Sequence, residues 1–263
     1  MTELAELRNR HQGRTIYIVG SGPTLDKYDL RFLKDEITIC VNWAFRHCTD
    51  PTFQITKHHE TAVECLTSTT STTCVVSEKN SSHTSAAKEL QQNDRVVLFA
   101  HPPSNKSGPI KWSTSDAEKP ELLVSWSTIT SAMHLAAYLG ASTVVLVGYD
   151  GGVFPEQRNV SGYKRRTAPD LFHKHRYWAF VDQTLQARNL LESAYNTRFI
   201  ALTPFLGLDL EGTAFIGRFG SVNLSRRQIR QALFDKGILQ LFTTFVKPTH
   251  RLQILLDRIR LKR

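Results

Sequence analysis

Short apolar runs, rich in β-branched residues, recur along the chain between longer polar stretches. Ile16–Val19, Ile37–Val41, Thr143–Val147 and Phe199–Leu202 show no alternation of apolar and polar positions. That pattern belongs to strands buried on both faces, as in a parallel sheet. Phe53–Thr56, Cys74–Ser77 and Arg95–Ala100 read as further strands. Helical spacing lies between them. Leu25, Tyr28, Leu30 and Leu33 follow it, with Asp26 and Asp29 near the start. Small residues mark a helix from about Ser131 to Leu139, and Gly140 stands where a C′ glycine would end it. A third helix opens at His173 and runs to about Ala194, with Phe180, Val181, Leu185, Leu190 and Leu191 as a rough apolar stripe. Strands alternating with helices predict an α/β fold, Rossmann-like and doubly wound on a mostly parallel sheet. We assign residues 1–222 to this domain, with lid segments at about 101–120 and 151–172, and residues 223–263 to a basic amphipathic helical tail.

In such a sheet, ligands sit beyond the carboxyl ends of the strands. The first strand ends in Gly20-Ser21-Gly22-Pro23, where glycines would let the backbone approach a ligand closely. The spacing is neither G-x-G-x-x-G nor a P-loop, and Pro23 lacks an N–H, so the loop is a poorer phosphate cradle than either. Asn42 ends the second strand, either as a turn former or as a ligand contact. Thr130 and Ser131 either cap their helix or offer hydroxyl and N–H groups to a phosphate. Gly148-Tyr149-Asp150 closes the strand after them, with Asp150 placed for ribose hydroxyls or a substrate amine. His175, near a helix start, has the lowered pKa of a neutral general base, or is an ordinary surface residue. His58 and His59 are adjacent and so point apart, which makes them a poor metal pair.

Composition narrows the class. The chain has 263 residues, 41% hydrophobic and 22% charged, as in an ordinary globular chain. Residues 1–14 are polar, and no apolar run approaches the roughly 18 residues of a membrane span, so we expect a cytoplasmic protein. Cys40, Cys48, Cys65 and Cys74 have no C-x-x-C spacing and read as reduced thiols rather than a zinc site. The net charge of +9 is concentrated: Arg226 to Arg263 holds ten Lys and Arg against Asp235 and Asp257. Interleaved with Leu233, Phe242, Leu252 and Ile259, this charge suits an anionic membrane surface or a helical hairpin packed on the body. No nucleic-acid motif accompanies it, so nucleic acid is not an expected partner.

Ile18-Val-Gly-Ser-Gly-Pro-Thr-Leu25, Cys40-Val-Asn-Trp43, Ile129-Thr-Ser131 through Gly140, and Val147-Gly-Tyr-Asp150 resemble bacterial sialyltransferases of glycosyltransferase family 42. They also resemble the related motor-accessory-factor and pterin-pyrophosphokinase-like proteins that carry the domain of unknown function numbered 115. The matching segments run discontinuously from about residue 15 to 205 and leave the tail outside. The resemblance implies a metal-independent enzyme using a CMP-activated nonulosonic acid as donor and a glycan or lipid-linked saccharide as acceptor. It implies nucleotide contacts from Gly20, Ser21, Gly22, Asn42, Thr130, Ser131, Gly148 and Asp150. It also implies a histidine base, for which His175 is the nearest candidate, and tyrosines that stabilise the leaving phosphate, for which Tyr163 and Tyr177 are nearest. No metal or further cofactor is implied. The sequence departs from the family at Ser21, where the family has Asn, and at Thr128, where it has Arg. A second ribose-binding asparagine has no clear counterpart near Phe53–Thr56. Two alternatives stay open: an ATP-dependent hydroxymethylpterin pyrophosphokinase, which would need Mg²⁺ on carboxylates, and a nucleotide-binding protein without catalysis.

Overall fold

The structure is a computed structural model, which describes residues 3–27, 30–79, 88–100, 110, 112, 121–125, 127–149, 160–162 and 171–202. Within 171–182 only the backbone is described. The expected tail at 223–263 and most of both expected lid segments lie outside these residues.

Among the described residues, seven strands form one open, all-parallel sheet: β1 (Thr15–Val19), β2 (Ile37–Val41), β3 (Phe53–Thr56), β4 (Thr73–Ser77), β5 (Val96–Phe99), β6 (Thr143–Val147) and β7 (Arg198–Ala201). Their order is β5-β4-β3-β2-β1-β6-β7. The central β1 pairs with β2 on one side and β6 on the other, so that Ile18 lies between Ile39 and Leu146. The strands are largely apolar because each packs on both faces. Ile16, Ile18, Ile39, Ile55, Val75 and Leu146 join one core cluster. Tyr17, Val19, Cys40, Cys74, Val76 and Val145 join the other.

Helices cover both faces, as a doubly wound sheet requires. Helix α1 (His59–Ser68) lies over β3 and β4, and α2 (Lys88–Gln91) precedes β5. Helix α3 (Thr128–Tyr138) packs under β1, β2, β3 and β6, and α4 (Leu171–Tyr195) packs on α3. Sandwiched in this way, α3 has every residue buried, which explains why its sequence shows small residues rather than an amphipathic stripe. Among the described residues no helix is long and apolar enough to cross a membrane.

Three local expectations change. The segment from Leu25 to Leu33 is not an α-helix but two 3-10 turns, Pro23–Lys27 and Leu30–Leu33, although Leu25 and Leu33 are still buried. A 3-10 turn advances about 2.0 Å per residue against about 1.5 Å for an α-helix, which suits a short return to the start of β2. Helix α3 begins three residues earlier than its small-residue stretch suggests, because Ser127 is the N-cap and its Oγ accepts the Ile129 N–H at 3.3 Å. The polar N-terminal segment is also structural. Leu4 and Leu7 enter the core, and the N–H groups of Asn9, His11 and Gly13 bond the carbonyls of Tyr138, Leu139 and Gly140 at 2.8–2.9 Å. Those carbonyls at the end of α3 would otherwise lack partners.

Candidate functional site at the carboxyl edge of the sheet

The chain runs outward from β1 to β5, then returns through α3 to place β6 on the other side of β1. The strand order therefore reverses between β1 and β6, and in open α/β sheets the carboxyl side of such a switch point is where ligands bind. Gly20-Ser21-Gly22 and Gly148 are the loops that flank it.

These loops are spliced to each other. The Gly20 N–H donates to Val147 O at 2.8 Å and the Gly22 N–H to Gly148 O at 2.5 Å, extending the β1–β6 ladder past both strands. A Cβ on Gly20 would stand 2.6 Å from the Gly148 carbonyl oxygen, so the close approach that this glycine permits is to the neighbouring loop. Gly148 itself has φ +63°, a left-handed conformation that glycine adopts without penalty. The loop after β6 is drawn in as well. Val160 N–H donates to Ser21 O at 2.8 Å, and the Asp26 carboxylate accepts from Ser161 N–H and Oγ at 3.0–3.1 Å.

Next along the edge stand the ends of β2 and β3. Asn42 follows β2 with φ +53°, a conformation asparagine tolerates better than most residues. Its Oδ1 accepts the Thr56 hydroxyl at 2.9 Å, and Thr56 Oγ1 in turn accepts the His58 N–H at 2.9 Å. Trp43 and His58 stack with centroids 5.8 Å apart, fastening the same two strand ends from outside. Gln54 is wholly buried beneath Asn42, and its Oε1 has no hydrogen-bond partner.

The N-terminus of α3 completes the edge, since a helix returning between parallel strands must run from their carboxyl ends to their amino ends. Thr130 and Ser131 are both fully buried in its first turn. Thr130 Oγ1 lies 2.6 Å from Ser125 Oγ and donates to Ser127 O at 2.8 Å. Ser131 Oγ donates to Leu123 O at 2.8 Å. Both hydroxyls therefore hold Leu123, Ser125 and Ser127 against the helix start.

Gly20, Ser21, Gly22, Asn42, Thr130, Ser131 and Gly148 thus all lie at one edge. Asp150 and Tyr163 fall outside the described residues. His175 and Tyr177 lie in the first turns of α4, with their side chains outside the described residues. Among the described residues no group of three or more His, Cys, Asp or Glu is arranged to hold a metal ion.

Lys57 was not singled out by sequence pattern. It directly follows β3, is 7% exposed, and donates from Nζ to Ser125 O at 2.6 Å. Burial lowers its pKa to about 7. The available signal was its position, one residue past a buried strand on the ligand-binding edge. Whether a lysine there folds inward or reaches into water is decided by the segment packed over it.

No family model matches the chain, and no curated protein matches it. Solved structures with a similar course include a CstII sialyltransferase from Campylobacter jejuni in complex with cytidine-5'-monophosphate, at 13% identity and a TM-score of 0.41, over 80% of this chain and 85% of that one. A further CstII sialyltransferase structure with CMP is similar at 12% identity and a TM-score of 0.43, over 80% and 86% of the two chains. The fold assignment rests on the strand order and not on these likenesses.

Proposed function

We propose that the chain is a sialyltransferase-like glycosyltransferase that takes a CMP-activated nonulosonic acid and transfers the sugar to a glycan or lipid-linked saccharide. The observation that carries this reading is the β1–β6 switch point, with Gly20-Ser21-Gly22, Gly148, Asn42 and the N-terminus of α3 gathered on its edge. The motifs resembling glycosyltransferase family 42 stand at those same strand ends. Ser21, Asn42 and Asp150 contact the nucleoside. Thr130 and Ser131, whose hydroxyls are engaged within the protein, act through the N–H groups of the helix start. The acceptor hydroxyl oxygen forms a bond to the anomeric carbon while the bond from that carbon to the phosphate oxygen breaks, which inverts the configuration. His175 takes the hydroxyl proton, and Tyr163 and Tyr177 donate to the departing phosphate of CMP. No step calls on a metal ion.

The test is a thermal-shift screen of the full chain against CMP, CDP, UDP, GDP, ATP and their sugar conjugates, with and without Mg²⁺. A ligand that binds only the folded state raises Tm by mass action. Stabilisation by CMP or a CMP-sugar without metal is expected. Stabilisation by ATP only with Mg²⁺ would replace the proposal with a pyrophosphokinase, and no shift with any nucleotide would overturn it. His175→Ala should then abolish turnover and leave CMP stabilisation unchanged. The basic residues of 223–263 are read as an anchor to anionic lipid, so a chain ending at Asn223 should no longer bind anionic vesicles.

A further inference from the structure

We propose that Lys57 is the cationic centre of an oxyanion subsite at the carboxyl edge of the sheet, receiving a phosphate or carboxylate group of the bound ligand. An ammonium carries three donors. In Lys57 one is taken by Ser125 O, and no acidic side chain among the described residues pairs with it. The side chain is nonetheless only 7% exposed, so bulk water reaches little of it. A buried cation without a counter-charge is costly, and the cost is removed by an anion or by loss of the proton. Burial alone sets the Lys57 pKa at about 7, with no acidic neighbour to raise it.

The neighbourhood points the same way. Ser125, which holds Lys57, is linked through its own Oγ to Thr130 in the first turn of α3. The positive end of an 11-residue helix is therefore held beside a buried amine, with no negative group of the described residues to balance them. Both features favour an anion placed between them. Thr56, which precedes Lys57 in the chain, donates to Asn42 Oδ1 at the end of the neighbouring β2.

The alternative is a tether: Lys57 would only fasten the 121–125 segment through Ser125 O. A tether does not affect anion affinity. The identity of the ligand rests on the donor reading above, whereas the subsite does not. The full chain and its Lys57→Met and Lys57→Gln variants are titrated calorimetrically with cytidine, CMP, CMP-sialic acid and inorganic phosphate. Lys57→Gln keeps a donor for Ser125 O but no charge. Both variants should bind cytidine as the wild type does. If the anion is the nucleotide phosphate, both lose about tenfold or more for CMP and inorganic phosphate. If it is the sugar carboxylate, that loss is confined to CMP-sialic acid. Phosphate binding that depends on Lys57, with no binding of cytidine compounds, would keep the subsite and refute the donor reading. Unchanged anion affinities in folded variants would overturn the subsite, as would a wild type that binds none of the anions. Lysine-detected NMR of the wild type covers the case of a variant that does not fold. The Lys57 Nζ signal must move when an anion is added, and a signal that stays in place refutes the proposal.

Discussion

His134 in the middle of α3 and Lys57 at the end of β3 are both buried, yet they are surrounded very differently. His134 Nδ1 accepts the Leu123 N–H at 2.7 Å, and its Nε2 meets Tyr195 Oη at 2.8 Å. The first bond fixes the tautomer: Nε2 carries the proton and donates to Tyr195. Trp112 closes over the ring edge-on at 4.8 Å between centroids. Every polar atom of this side chain is used, and burial holds its pKa at about 3, so it stays neutral. Lys57 has one carbonyl for three donors. The comparison teaches that burial of a titratable group does not by itself mark a site. A saturated group is a fastener, and an unsaturated one at the edge where ligands bind is a candidate for function.

The largest expected effect comes from the saturated side. His134→Ala leaves a cavity and strips the acceptor from the buried Leu123 N–H, and should cost about 4 kcal/mol in urea unfolding. A loss below about 1 kcal/mol would mean that His134 is no fastener. Gly20→Ala tests whether the edge itself is rigid. Its Cβ would meet the backbone oxygen of Gly148 at 2.6 Å, where no flexible side chain can yield, so a loss of about 3 kcal/mol is expected.

Acid should separate the two groups next. His134 has a pKa of about 3 folded against 6.5 unfolded. Between those values the unfolded state holds the extra proton, so stability falls as pH drops from 6.5 toward 3, by at most about 1.4 kcal/mol per unit. For Lys57 the corresponding window runs from about 7 to 10.5, and stability rises with pH across it. Urea unfolding of the wild type and His134→Gln between pH 4 and 6.5 should show a shallower slope in the variant; equal slopes would show that His134 does not carry the effect. The smallest effect is expected from Lys57→Met. Replacing an unpaired buried cation by an apolar side chain of similar volume should be neutral or stabilising by about 1 kcal/mol at pH 7 without ligand. A large destabilisation there would make Lys57 a fastener like His134.

The seven strands were legible in the sequence, with boundaries within a residue or two, because each is buried on both faces and so carries a short run rich in apolar and β-branched residues, which polar residues such as Gln54 interrupt only in places. Asn42 and the two glycine loops were legible as strand ends, because a polar or glycine residue interrupts an apolar run there. Their physical roles were less so. Gly20 looks in sequence like a residue making room for a ligand, and in the fold it makes room for Gly148. Thr130 and Ser131 look like exposed donors at a helix start, yet both are buried because α4 and the 121–125 segment cover α3.

What the sequence determined by itself is the local content: which runs are strands, that they are buried on both sides, and that polar and glycine residues stand at their ends. These follow from short-range patterning, which each segment carries wherever it is placed. What only the tertiary structure decided is the order of the strands, hence the switch point between β1 and β6. The same holds for the use of the N-terminal segment to satisfy the end of α3 and for the burial of Lys57. Each depends on contacts between residues far apart in the chain, such as Lys57 and Ser125 or Asn9 and Tyr138, and no local pattern encodes which distant partner a residue will meet.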